Sequence, residues 1–153
     1  MDEMQNRFER FSSVISGMSY VLHKIAAKEL ERYGLKGTYA IYLLTVYRHQ
    51  KGVTAAKISE LCNRDKSDVS RAMTAMEKQG LVKKSTKAIY RAEIFLTELG
   101  LEAAKKVSAL SASALKKIDE NLKPEELETM YKALGVIYGS LTEMIEEGIP
   151  TNE

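Results

Sequence analysis

Ser67, Ser70, Arg71, Thr74 and Lys78 line one side of a helix traced through DKSDVSRAMTAMEKQGLVKKS, residues 65–85. Short hydroxyl side chains permit close approach to a partner. A guanidinium can grip a phosphate, or the O6 and N7 of a guanine, through two parallel hydrogen bonds. The opposite side carries Val69, Met73, Met76 and Gly80 at i, i+4, i+7 and i+11, an apolar stripe suited to a core. The polar stripe contains no carboxylate, although a solvated helix face normally mixes both signs. Lys66 stands at its start, and Lys83, Lys84, Lys87 and Arg91 follow it.

The charge around this helix is uneven. Residues 64–91 hold eight Lys/Arg against three Asp/Glu, whereas residues 119–153 hold two against nine, in a chain of net charge +2. One surface therefore suits a polyanion, and another repels it. Asp68 stands three residues after Asp65, where a carboxylate can brace a helix start.

Other residues with chemical potential are isolated. Cys62 lies on the apolar side of its helix and reads as a small hydrophobe rather than a redox switch. His23 and His49 lack neighbours at metal-ligand spacing, so no metal is expected. There is no nucleophile–base pair, phosphate-cradling glycine loop or spaced carboxylate pair. The sequence predicts neither an enzyme nor a bound cofactor.

Length and composition fit one soluble domain: 153 residues, 44% hydrophobic and 29% charged. No apolar run approaches the ~18–20 residues of a membrane span. The opening MDEMQNRFER begins with acids, unlike a secretory signal, and a single cysteine fits a reducing compartment. A cytoplasmic location is expected.

The elements that position the stripe follow from periodicity and capping. Residues 3–33 read as one long helix with a heptad-like seam of Phe8, Phe11, Ile15, Met18, Leu22 and Ile25, closed by Gly34 and Gly37. TYAIYLLTVYRHQ follows with Thr38 as N-cap, and its largely apolar circumference predicts a central position. Thr54 caps a short helix holding Ile58, Leu61 and Cys62. Asn63 and Arg64 form a turn, Asp65 caps the polar-striped helix, and Ser59 is small enough for the helix crossing. LVKKS and IYRAEIFL read as strands about a TKA hairpin tip. Thr97 caps a further helix, and Pro124 opens the last one, where Leu127, Met130, Leu134, Ile137, Leu141 and Met144 step by threes and fours. The fold class is mainly α with a small β-hairpin wing: a winged helix-turn-helix over 38–96, flanked by dimerisation helices over 1–33 and 97–147. Two seams too large for one such lobe to bury predict a homodimer.

In order and spacing, KISEL, DKSDVSRAMTAMEKQGLV and IFLTELG resemble the MarR family of transcription regulators. The resemblance spans nearly the whole chain. The family's common acidic residue before the wing-tip arginine is missing from KKSTKAIYRAE. Two such helices in a dimer predict a pseudo-palindromic duplex DNA site, with Lys66 and Lys78 at flanking phosphates, and the resemblance implies reading roles for Ser67, Ser70 and Arg71. It implies, further, repression released by a small aromatic or phenolic effector, with Tyr20, His23, Tyr39 and Tyr42 as pocket residues. A winged-helix module that docks proteins without specific DNA binding is the alternative. RNA binding and an enzyme at the dimer seam are weaker ones.

Overall fold

The computed structural model describes residues 3–85 and 92–148. The helices are α1 (Glu3–Leu30), α2 (Ala40–Arg48), α3 (Ala55–Cys62), α4 (Lys66–Lys78), α5 (Glu98–Asp119) and α6 (Pro124–Glu147). Short strands β1 (Val53–Thr54), β2 (Val82–Lys84) and β3 (Glu93–Leu96) form an antiparallel sheet in the order β1-β3-β2. Met1–Ala112 and Ser113–Glu153 form two compact units.

Within the first unit, α2 is central, as its apolar sequence predicts. Tyr42, Leu43 and Val46 are almost wholly buried, packed in one cluster with Ile58 of α3, Met73 and Met76 of α4, and Val107 of α5. Local chemistry shapes the helix-turn-helix. The Thr54 hydroxyl accepts from the Lys57 backbone N–H at 3.2 Å, capping α3. Asn63 takes the left-handed conformation, φ 48°, that ends α3 and reverses the chain. The Ser59 hydroxyl donates to the Arg64 carbonyl, holding the turn against the helix it leaves. Gly80, at φ 73°, ends the α4 segment.

Some elements depart from the sequence expectation. Thr38 does not cap α2, because residues 37–39 form a 3-10 turn and Tyr39 stands at the N-cap with no side-chain cap bond. That turn is drawn against α1: a Cβ on Gly37 would lie 2.2 Å from the His23 carbonyl oxygen. Asp65 is the α4 N-cap by position, but it makes no side-chain cap bond. Its carbonyl accepts from the N–H groups of Asp68 and Val69 at 3.1 Å. Strand β1 is too short to carry an alternation pattern, and pairs with β3 through Val53 opposite Ile94. Residues 86–91, which include the expected hairpin tip, lie outside the described residues.

At the foot of the sheet, the Thr97 backbone N–H donates to the Leu81 carbonyl at 3.0 Å, and its hydroxyl donates to the Gly80 carbonyl. That same hydroxyl accepts from the Gly100 N–H at 3.0 Å, which makes Thr97 the α5 cap that the sequence predicts.

In the second unit, Pro124 occupies the first turn of α6, and the Glu126 carboxylate accepts from the Lys123 backbone N–H at 2.7 Å. No α6 residue is buried. Leu134, Ile137, Leu141 and Met144 all stand exposed, as do Phe8, Ile15, Met18 and Leu22 of α1 in the first unit.

A Cβ placed on Gly100 would stand 1.8 Å from the Leu81 carbonyl oxygen, a backbone atom with little freedom to move. Gly100→Ala is expected to destabilise the protein by about 3 kcal/mol, the upper end for overpacking. Urea denaturation of the two proteins checks this.

Candidate nucleic-acid interface

Helix α4 divides its circumference cleanly. Val69, Ala72, Met73 and Met76 are at most 1% exposed. Lys66, Ser67, Ser70, Arg71, Thr74 and Lys78 are all exposed. The structure thus brings the six candidate residues of this helix to one outward surface. Lys83 and Lys84 are exposed on β2, directly after the helix in sequence. Lys87 and Arg91 lie outside the described residues. The surface can offer two kinds of chemistry: a guanidinium fork for base edges or phosphate, and a scatter of hydroxyl and ammonium donors for phosphate.

The surface also holds carboxylates that the one-dimensional stripe does not reveal. Glu77 lies beside Lys84, with 2.8 Å between carboxylate and ammonium. Asp68 lies beside Arg71, with Oδ1 3.5 Å from Nη2. The expectation of a face free of acids is therefore corrected: helical spacing puts Asp68 one turn from Arg71, and the chain's return in β2 puts Lys84 against Glu77. Asp68 also does not brace its own helix start through its side chain. Its other oxygen, Oδ2, accepts from the Tyr42 hydroxyl of α2.

Tyr42 is 2% exposed, a core residue whose one polar atom finds this carboxylate. Burial first, then the hydrogen bond to Asp68, pushes its hydroxyl well above the ordinary tyrosine range. The same hydrogen bond, followed by the Arg71 guanidinium, holds the Asp68 carboxyl below the ordinary aspartate range. No motif marks this pair, because its members are 26 residues apart and on different helices.

The other expected pocket residues are dispersed in character. Tyr20 is 64% exposed, with the Lys24 ammonium 5.7 Å from its ring centre. His23 and Tyr39 are half-buried, and Tyr39 packs against Tyr42 with ring centres 6.2 Å apart. A partly open cavity of about 340 Å³ lies elsewhere in the first unit, lined by Val46, Gln50, Lys83, Phe95, Leu96, Thr97, Glu98 and Leu101. None of the four expected pocket residues contributes to it. Cys62 is half-buried with its sulfur 3.3 Å from the Thr45 hydroxyl. Among the described residues, no group of three or more His, Cys, Asp or Glu is placed to hold a metal ion, and no helix is long and apolar enough to cross a membrane.

Comparison with known proteins agrees with this geometry. Residues 33–88 match the model of the MarR family. MepR of Staphylococcus aureus, solved as a DNA complex, superposes with TM-score 0.77 at 23% identity, over 86% of this chain and 97% of its own. A putative MarR-family regulator of Listeria monocytogenes, solved with a 26mer DNA, gives 0.75 at 18%, over 100% and 99%. A MarR regulator of Methanosarcina mazei gives 0.74 at 17%, over 94% of each chain. No curated protein matches the chain by sequence. The resemblance read from the motifs is shown: a family match over the helix-turn-helix, and the winged-helix fold over nearly the whole length.

The Tyr42–Asp68 pair has a pH signature. The folded chain keeps the tyrosine proton above pH 10.0, where the unfolded chain loses it. Stability is therefore fully present below pH 10.0 and declines as pH rises beyond it. For Asp68 the sign reverses: its contribution is present above the unfolded value of 3.8 and is lost as pH falls through the lower folded value. Tyr42→Phe is expected to flatten the alkaline arm and Asp68→Asn to soften the acid arm, as read by urea titrations across the pH range.

Proposed function

We propose that this chain, whose residues 33–88 match the MarR family and whose fold is that of the MarR winged-helix structures, is a homodimeric transcription regulator that reads duplex DNA by sequence. The observation that carries the reading is the two-sided α4, with its apolar stripe in the core and six hydroxyl or cationic side chains presented together to solvent. A helix of this diameter enters the major groove, where residues near its amino end reach base edges. Arg71, in its second turn, is the base reader. Ser67, Ser70 and Thr74 allow close approach, and Lys66 and Lys78 hold phosphates at the flanks. Lys83, Lys84, Lys87 and Arg91 supply wing contacts on the same proposal.

The dimer rests on the exposed seams. An apolar row recurring at three and four residues needs cover in water, and both α1 and α6 carry one. A second copy presents matching rows, and twofold symmetry turns one reading helix into two, about 34 Å apart along the duplex. Repression by occupying a promoter, release by a small aromatic or phenolic effector, and residence in the cytoplasm belong to the same proposal. The effector is supported by family resemblance, with Tyr20, His23, Tyr39 and Tyr42 as its proposed pocket residues, of which Tyr39 and Tyr42 pack ring against ring.

Selection of bound duplexes from a random pool tests the reading and yields the operator. Against that operator, Arg71→Ala is expected to cost about 1–3 kcal/mol per half-site and to relax preference at one base pair, whereas Lys78→Ala weakens all duplexes alike and lowers the salt slope by about 1. Salt-indifferent binding that tolerates Arg71→Ala would instead favour a protein-docking module.

Ile15→Glu and Leu141→Glu, each placing a charge in an exposed apolar row, are expected to shift the dimer toward monomer in sedimentation equilibrium. A species that is monomeric before any substitution would remove the twofold reading. Titration of the protein–operator complex with phenolic compounds, followed by duplex release, checks the effector.

A further inference from the structure

A carboxylate at the edge of a surface that must approach phosphates calls for a reason, since it weakens binding to any polyanion. Asp68 is such a group: it lies one helical turn from the proposed base reader, and its side chain is 43% exposed. Its two oxygens are divided. Oδ2 accepts the hydroxyl of Tyr42, a residue locked in the core, while Oδ1 faces Arg71 Nη2 at 3.5 Å. An exposed Asp–Arg pair three residues apart does little to fix a flexible guanidinium. A carboxylate anchored from below by a buried phenol is different, because one end of the pair has already lost its freedom. Arg71 carries five N–H donors and an exposed side chain, so engaging one donor with Asp68 leaves others for a further partner.

Resting on the DNA-reading proposal above, we infer that Tyr42 and Asp68 are positioning residues for Arg71, joining the core of α2 to the reading face of α4 and setting base preference there. The anchored guanidinium meets a guanine already oriented, so little rotamer entropy is lost on binding. The Asp68 charge simultaneously repels misplaced phosphates, so correct docking is favoured over sliding contacts. The pair lowers affinity for duplex in general and sharpens preference at one base pair.

Duplex selection from a random pool, run on the wild type, Tyr42→Phe, Asp68→Asn and Arg71→Ala, tests this. Arg71→Ala identifies the base pair that Arg71 reads. At that pair, Tyr42→Phe is expected to cut discrimination about fivefold or more while leaving preferences elsewhere intact, within the range a bidentate base contact confers. Asp68→Asn does the same and also tightens binding to unrelated duplex severalfold. Thermal melting confirms that each variant is folded. The order of the Arg71 Nε–H group, from NMR relaxation of the free protein, reports positioning without DNA and is expected to fall in Tyr42→Phe. Weakening that is uniform over all positions, or an unchanged profile in both variants, overturns the inference and leaves DNA reading in place. A wild type that enriches no duplex overturns the DNA reading itself, and this inference with it.

Discussion

Burial of one side of α4 is the constraint from which the proposed reading surface follows. Val69, Ala72, Met73 and Met76 have almost no solvent contact, and truncating a buried methionine to alanine costs about 2–5 kcal/mol. Rotation of this helix about its axis would expose all four, so its azimuth is fixed within narrow limits. The outward orientation of Ser67, Ser70, Arg71, Thr74 and Lys78 is then a consequence of packing rather than of any attraction among them. Helix α2 supplies much of the wall, through Tyr42, Leu43 and Val46. The short turn held by Asn63 and Ser59 sets where α4 begins.

Electrostatics refines that surface in two ways that differ in kind. Lys84 and Glu77 are both partly exposed and form an ion pair whose worth in water is at most about 1 kcal/mol. Such a pair opens readily when a phosphate offers the lysine a better partner. Asp68 cannot leave so cheaply, because its departure strands the hydroxyl of a buried tyrosine, and an unmet buried donor costs about 1–3 kcal/mol. Of the two acids beside the cationic face, one is a loose counter-charge and the other is tied to the core through Tyr42.

Much of this architecture is legible in the sequence because it rests on local rules. The two stripes of α4 are a 3.6-residue period read over 13 residues. Thr54, Asn63, Gly80, Thr97 and Pro124 each act within a few residues of themselves, and each does in the structure what its type and place predict. What escapes the sequence is set by contacts between distant segments. Strand β1 has two residues and exists because β3 pairs with it. Thr38 has cap chemistry, but the approach of Gly37 to α1 turns that segment into a 3-10 turn instead. Asp68 invites reading as a helix-start brace because Asp65 is near in sequence, and its true partner is 26 residues upstream. Tyr42 carries an aromatic ring and a hydroxyl, features shared by pocket residues and by satisfied core residues, and neither its burial nor its bond to Asp68 is legible from its place in the sequence.

The junction after the wing adds a mechanical link to this packing. Thr97 bonds the Gly80 and Leu81 carbonyls at the end of the α4 segment, and Gly100 sits so close to Leu81 that no side chain fits between them. Two hydrogen bonds and a backbone contact without clearance leave little room for sliding. Ala103, Ala104 and Val107 continue that attachment into the core. The first turns of α5 and the end of α4 are therefore held together by packing as well as by hydrogen bonds, since separating them would open a void beside buried Leu81. Packed interfaces of this kind shift between discrete arrangements rather than deforming by degrees. The far end of the proposed reading helix is thus fastened to the first turns of α5. The amino end of that helix, tied to Tyr42 of α2 through Asp68, answers to the core instead.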